Sequence, residues 1–291
     1  MKTAITCFLA SISMPLLALA QNDSSAHRTF RIGFQTSTIP VVDYTATDST
    51  RIQLYIAPQI SYTHKSGFGV LARTYFLTGN TSSRNFLTTL SPTFEKDNDK
   101  LYTAVNYSHF FYNRHSDIPY TPIKNELYTS IRLKTKVLQP LLTVNAGWGQ
   151  DTLANPAFDM NVLTGIAHDF TWEFSDKSSL SLLPAIILNA GTNNYFSMLK
   201  GSPYIASSKN YNAVIRTQNK GRGRSNTGTG TNNVASTTAK NSFGLSQLEG
   251  NLYIYYTIGK ITLEPDASIF FPLRSGEVIS SYFQLIANFN F

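Results

Sequence analysis

Glu264 and Asp266 are the first residues whose types and spacing could do chemistry. Residues two apart on an extended strand lie on the same face, so these two carboxylates would point to the same side of a sheet. A carboxylate pair can supply the acid and the base of a glycosidase. Charged residues of both signs occupy the neighbouring segments, so we interpret the pair instead as part of a network of ion pairs.

Two serine–histidine pairs are the other candidates for catalysis, Ser108 with His109 and His64 with Ser66. A hydrolase needs a serine that gives its proton to a histidine, and a third residue that orients the ring. Adjacent strand residues point to opposite faces, so Ser108 and His109 cannot meet. His64 and Ser66 share a face only if their strand continues through a turn. We therefore expect no enzyme.

The histidines also give no sign of a metal site. The chain has five of them, and none stands in H-x-x-H or H-E-x-x-H spacing. His64 and His168 have aromatic neighbours in their segments, which is typical of the aromatic girdle at a membrane interface. The sequence predicts no metal and no cofactor.

The elements that carry these residues are predicted from apolar side chains at alternate positions. Between Arg51 and His64, apolar residues run from Ile52 to Tyr62 with a period of two, which indicates a strand and not a helix. Such segments are longer than the usual strand of about 5–6 residues, and they fit tilted strands that cross a bilayer. Twelve of them are predicted, at 29–41, 50–63, 67–78, 84–97, 100–113, 123–136, 137–149, 158–173, 177–191, 243–258, 260–272 and 279–291.

The connections between these segments alternate in length. Long polar connections, such as 114–122 and 192–242, alternate with tight turns such as 98–99. Bacterial barrels have an even number of strands, short periplasmic turns and long external loops, and a closed barrel leaves no unpaired edge in lipid. The fold class predicted is all-β, a transmembrane antiparallel up-and-down β-barrel of about 12 strands with both termini in the periplasm. A ten-strand barrel, in which weak strands such as 84–97 merge, is the alternative.

The two remaining regions are predicted to lie outside the barrel wall. Residues 1–20 are typical of a signal peptide, with Lys2, an apolar stretch and a cleavage site at Ala18-Leu19-Ala20, so the barrel spans 21–291. Cleavage would remove Cys7, the only cysteine, and with it any disulfide. The segment at about 192–242 is rich in Gly, Ser, Asn and Arg, which predicts a long flexible external loop.

The last predicted strand carries a family resemblance. Alternate apolar residues run to a terminal phenylalanine, which together with the signal peptide resembles the outer-membrane β-barrel proteins of Gram-negative bacteria. The stretch 58–68 also resembles hairpins of uncharacterised barrels of the Bacteroidota. The resemblance implies a place in the outer membrane, contact with its lipid and lipopolysaccharide, and an end recognised by the barrel-assembly machinery. The residues that carry this assembly signal are Phe283, Leu285, Ala287, Phe289 and Phe291.

The second face of each strand is predicted to line the lumen. A confined interior with charges of both signs is either a solute-selecting channel or a space filled by ion pairs and hydrogen bonds. The net charge of +7 favours anionic partners, either solutes or lipopolysaccharide phosphates. No nucleic-acid partner is predicted, because the basic loop lacks interleaved aromatic residues. The lumen-lining candidates are Arg31, Arg73, Glu126, Arg132, Lys134, Glu249, Glu264 and Asp266.

Three functions stay open at this point. The first is a passive or weakly selective pore for small hydrophilic solutes. The second is an occluded structural barrel that acts through its external loops. The third is a lipolytic enzyme, because outer-membrane phospholipases are barrels of the same strand number.

Overall fold

The computed structural model describes residues 29–43, 49–79, 85–113, 122–150, 156–192, 195–197, 204–206, 243–273 and 279–291. The predicted signal peptide and most of the predicted external loop lie outside these ranges. Within them, no helix is long and apolar enough to cross a membrane.

The regular structure of the described residues consists of β-strands, most of them longer than ten residues. In chain order they are β1 Thr29–Asp43, β2 Ser49–Thr63, β3 Phe68–Leu77, β4 Asn85–Asp97, β5 Leu101–Tyr112, β6 Ile123–Leu133, β7 Gln139–Gln150, β8 Pro156–Ala167, β9 Phe170–Ser175, β10 Ser178–Gly191, β11 Tyr195–Ser197, β12 Tyr204–Ala206, β13 Gly244–Ile258, β14 Ile261–Pro272 and β15 Ser280–Asn290.

The strands form one closed antiparallel barrel. Each long strand pairs with its neighbours in the chain, β10 pairs with β13, and β15 pairs with β1 to close the sheet. Strands β8 and β9 together fill one position, because both pair with β10. The barrel therefore has twelve strand positions, as predicted. The ten-strand alternative is wrong, because β4 is a separate strand that pairs with both β3 and β5.

One predicted strand, 158–173, is broken in the structure at His168 and Asp169. The Asp169 carboxylate accepts hydrogen bonds from the hydroxyls of Thr171 (3.0 Å) and Ser181 (2.6 Å), and His168 Nδ1 lies 2.6 Å from the carbonyl oxygen of Val137. These side chains compete with the strand ladder for the local hydrogen bonds. Among the described strands, β9 pairs with β10 alone.

The tight turns and both described ends of the chain lie at the same end of the barrel, which we call the short-turn end. Gly67 and Gly259 have φ angles of 89° and 58° in two of these turns, a conformation that favours glycine. The backbone N–H of Phe291 donates to the carbonyl of Phe30 at 2.9 Å. The opposite end, where the longer connections lie, is called the long-loop end.

The two faces of the wall differ in polarity. The outer face carries exposed apolar side chains, such as Ile186 and Phe283, each 58% exposed. The inner face carries buried side chains, many of them polar. An apolar outside around a largely polar inside is the reverse of a soluble barrel and suits a lipid environment. The chain thus has the architecture of an outer-membrane β-barrel.

Candidate functional site

The lumen contains a chain of side-chain amides that begins at Asp266 on β14. Gln284 donates from Nε2 to Asp266 Oδ2 (3.4 Å), and Gln35 donates from Nε2 to Gln284 Oε1 (2.6 Å) and to the hydroxyl of Tyr55 (2.8 Å). Tyr282 also donates to Gln284 Oε1 (3.2 Å). All of these residues are buried, so the chain is a fixed part of the lumen wall.

A second buried acid, Glu249 on β13, is held by three amides. Its carboxylate accepts hydrogen bonds from Gln247 Nε2 (2.8 Å), Asn189 Nδ2 (3.2 Å) and Asn251 Nδ2 (3.4 Å). A carboxylate offers about four lone-pair sites, so three amide donors satisfy most of its capacity. We call the lumen face of β13, β14, β15 and β1, together with Asn189 at its border, the acceptor wall.

A third acid, Glu264, shares its face with Asp266 but has different partners. Asn288 donates from Nδ2 to Glu264 Oε1 (3.2 Å), and Gln59 donates from Nε2 to Asn288 Oδ1 (2.7 Å). Arg73 completes this line by donating from Nε to Gln59 Oε1 (2.8 Å). Two amides therefore stand between the base and the acid. We expected ion pairs here, but Glu249, Glu264 and Asp266 are held by amides and form no ion pair with a described Lys or Arg.

The other predicted lumen residues are spread along the bore. Glu126 is fully buried and accepts from Asn145 Nδ2 at 2.6 Å. Arg132 donates to Gln139 Oε1 (3.1 Å) and lies over the ring of Tyr102.

The remaining two candidates belong to the short-turn end. Lys134 forms an ion pair with Asp97. Arg31 follows the same phase as Gln35 and is solvent-exposed. The eight candidates therefore do not converge on one point, and the two carboxylates of Glu264 and Asp266 accept hydrogen bonds from different amides.

One part of the lumen is apolar, which the sequence analysis did not predict. Buried Ala167, Ala185 and Ile187 pack there against partly buried neighbours on β7, β8, β10 and β13. We call the lumen face of β7, β8 and β10 around these residues the apolar wall. The signal for it lies in β10, where Leu182–Leu188 is apolar on both faces. The partly buried members are Leu141, Leu163, Leu183 and Tyr253.

A second apolar cluster lies in the lumen on strands β2–β6, toward the long-loop end. Tyr55, Tyr75 and Phe86 form its centre, with ring centroids 5.5–6.1 Å apart. These rings are at most 1% exposed, so side chains fill this part of the bore. The other buried members are Ala57, Leu77, Leu87, Phe110 and Ile123.

The structure shows where the two serine–histidine pairs lie. His64 Nδ1 lies 2.9 Å from Ser66 Oγ and also accepts the Ser66 backbone N–H (3.2 Å), which is a local contact within the β2–β3 turn. Ser108 is buried in the lumen, where it donates to Asn106 Oδ1 (2.8 Å). His109 points outward.

His109 has an asparagine partner on the outer wall, since its Nδ1 lies 2.8 Å from Asn125 Oδ1. A hydrolase of the phospholipase kind would need a serine beside this pair. The positions two residues away on the same face are Tyr107 and Phe111, so no serine nucleophile stands there. In the described part of the chain, no group of three His, Cys, Asp or Glu side chains could hold a metal ion.

Aromatic rings cluster on the outer face near the short-turn end. His168 and Phe170 meet with centroids 4.4 Å apart, and Trp172 stacks beyond them at 6.2 Å. The rings of Phe289 and Phe291 lie 4.9 Å apart. Phe283, Phe289 and Phe291 of the predicted assembly signal are exposed, and Leu285 is half-buried.

Comparisons with known proteins find similarity in architecture alone. No protein-family description and no curated protein matches this chain. A NanC porin structure has 8% identity and a TM-score of 0.39, with 90% of this chain and 99% of that one covered. An outer-membrane channel from Pseudomonas putida F1 has 9% identity and a TM-score of 0.43, with 93% and 99% covered. The outer-membrane channel DcaP of Acinetobacter baumannii has 10% identity and a TM-score of 0.24, with 92% and 99% covered. At these values the similarities do not indicate what crosses this barrel.

Proposed function

We propose that this protein is a passive or weakly selective pore for small hydrophilic solutes. The observation that carries the proposal is the acceptor wall, a lumen surface of carboxylates, amides and hydroxyls inside a closed barrel. Polar groups of this kind are costly to keep in a dry interior, and water or a hydrated solute would satisfy them.

The place we propose for the pore is the bacterial outer membrane, with the short-turn end in the periplasm. The apolar outer face, the aromatic residues near its short-turn rim and the alternation of connection lengths support this orientation. We propose lipid and lipopolysaccharide as its neighbours. We also propose that the barrel-assembly machinery recognises the end of β15 around Phe291.

Single-channel recording of the refolded protein in a planar bilayer tests the pore. The sample should be restricted to protein that migrates as a heat-modifiable, folded barrel on a gel. We expect steady conductance steps in molar salt. A folded barrel that stays silent over many insertions would overturn the proposal.

One observation favours a second candidate, an occluded barrel that acts through its long loops. The aromatic cluster of Tyr55, Tyr75 and Phe86 fills part of the bore near the long-loop end. Replacing Phe86 with Ala removes the ring at the centre of the cluster. Conductance that appears only in Phe86→Ala would support occlusion, and equal conductance in both proteins would support the pore.

A further inference from the structure

Three buried oxygen atoms on neighbouring positions of β13 and β14 have no hydrogen-bond partner among the described residues. They are Asp266 Oδ1, Ser268 Oγ and Asn251 Oδ1, and their residues are 8%, 2% and 6% exposed. Asn251 and Ser268 stand directly opposite each other in the β13–β14 register. Ser268 and Asp266 are two residues apart on one strand and share a face. The three side chains therefore occupy adjacent positions on the lumen face of β13 and β14.

The orientation of the amides around this place is fixed by the acids. Asn251 must direct its nitrogen to the Glu249 carboxylate, because a carboxylate accepts hydrogen bonds and cannot donate them. Its oxygen is thereby left to accept from another group. Gln284 must likewise direct its nitrogen to Asp266, so its oxygen accepts a hydrogen bond from Gln35 Nε2. Gln35 Oε1 is then left without a partner in the described part of the chain.

No described Lys or Arg forms an ion pair with Asp266. Asp266 receives a hydrogen bond from Gln284 and interacts with the backbone N–H of Ile254. The carboxylate of Glu264 is two residues away on the same face. A positive partner would stabilise an ionised buried carboxylate beside a second one, and neutral amides do not supply that charge.

The chemistry of the donor set defines that partner. A carboxylate, an amide carbonyl and a hydroxyl are hard oxygen ligands, the kind that replace the hydration shell of alkali ions in channels. A single carboxylate in direct reach suits a weakly held monovalent charge better than a divalent one, which takes more charged ligands. A primary ammonium group, with three donors for three oxygens, has the same complementarity.

We infer that Asp266, Ser268 and Asn251 form a lumen binding site for a small monovalent cation, either an alkali ion or the ammonium group of a small amine. The inference names the charge of the solute that the proposed pore would prefer. Its relevance to transport rests on that proposed function. It also opposes the expectation from net charge, which favoured anions.

Rubidium gives the direct test, because its anomalous scattering locates it in crystals of the whole protein. We expect a peak within coordination distance of the three oxygens in rubidium chloride, and none in crystals grown with the bulky cation N-methylglucamine. A parallel soak in methylammonium should displace the rubidium peak if the site accepts amines. A site that holds ordered water in rubidium chloride would overturn the inference.

Variants then test whether these side chains bind the cation. A rubidium titration followed by the thermal unfolding midpoint should show about tenfold weaker binding in Asp266→Asn, because contacts to a charged group are about twice as strong as those to a neutral one. Ser268→Ala, a smaller change, should weaken binding in the same direction. The matched control Asp97→Asn removes a carboxylate at the short-turn end and should bind rubidium normally. Equal binding in all three variants would overturn the assignment.

Two different results distinguish the absence of the cation site from the absence of an open pore. Bound rubidium in a barrel without conductance would overturn the proposed pore and leave the site standing. Conductance without bound rubidium, and with no cation preference in a salt gradient, would overturn the site and leave the pore standing.

Discussion

The acceptor wall and the apolar wall lie side by side in one lumen and are stabilised in opposite ways. In the acceptor wall, Asp266 and Glu249 orient the surrounding amides through hydrogen bonds. In the apolar wall, Ile187 and its neighbours are held by packing. Strand β10 joins the two, because its lumen face changes from Ile187 to Asn189 within two residues.

The comparison shows that the inside of a barrel need not have one character. A polar lumen group is stabilised by its hydrogen-bond partners, so its cost of removal depends on what is left unpaired. An apolar lumen group is stabilised by contact, so its cost of removal depends on the cavity that remains. Substitutions of similar size should therefore act differently on the two walls.

The largest expected effect is in the apolar wall. Ile187→Ala should lower the free energy of unfolding by about 2–5 kcal/mol, because it opens a cavity at a buried position. Ser268→Ala in the acceptor wall removes a hydroxyl that has no partner and should cost less than about 1 kcal/mol. Urea titration of both proteins in phospholipid vesicles measures the difference. Equal losses would contradict the division into two walls.

The outer face provides the next test. Ile186, adjacent to Ile187 but exposed on the outside near the middle of β10, should not tolerate a charge. Ile186→Arg should cost about 2–4 kcal/mol, because the charge enters the hydrocarbon core. The control is Ile258→Arg beside the turn at Gly259, which should cost only about 0–1 kcal/mol. A reversed order would mean that our inner and outer faces are wrongly assigned.

A smaller effect is expected where a buried acid loses one amide. Asn145→Ala removes the 2.6 Å hydrogen bond to Glu126 Oε1 and should cost about 1–3 kcal/mol. The double variant with Glu126→Ala should cost less than the sum of the two single changes, because the acid that needed the amide is gone. Strict additivity would show that the two side chains are not coupled.

An effect on stability no larger than that of Asn145→Ala is expected at the end of β15. Deleting Phe291 removes ring contacts with Phe30 (5.4 Å) and Phe289 (4.9 Å), worth about 0.5–1.5 kcal/mol each. The amount of barrel at the cell surface should nevertheless fall markedly, if the terminal residue is read during assembly. Phe271→Ala, at an exposed outer position of β14, is the control and should assemble normally. Unchanged surface levels after the deletion would refute the assembly signal.

The barrel itself could be predicted because each strand has a recognisable pattern in its own segment of the sequence. Alternation within each segment and the lengths of the connections placed nearly every strand end within two residues of its position in the structure. The break at His168 and Asp169 was missed, because it depends on Ser181, which lies on the next strand.

For the lumen, the sequence could predict only which residues of each strand face inward. Arg73, Glu126, Glu249 and Asp266 were expected on the inner face and are buried there. Their partners were not foreseeable, because they depend on the register between neighbouring strands, as in the contact of Glu126 with Asn145, which stands opposite Tyr128. The pattern also concealed the apolar wall, since the inner face of β10 is as apolar as its outer face.

Strand β9 differs from its neighbours in its hydrogen bonding. Among the described strands it is hydrogen-bonded on one side only, so the amides on its other edge lack the mutual protection that the rest of the wall provides. In deuterated buffer, the backbone of Phe170–Ser175 should exchange its protons ahead of the neighbouring strands, and this hairpin should be the first part of the barrel to open.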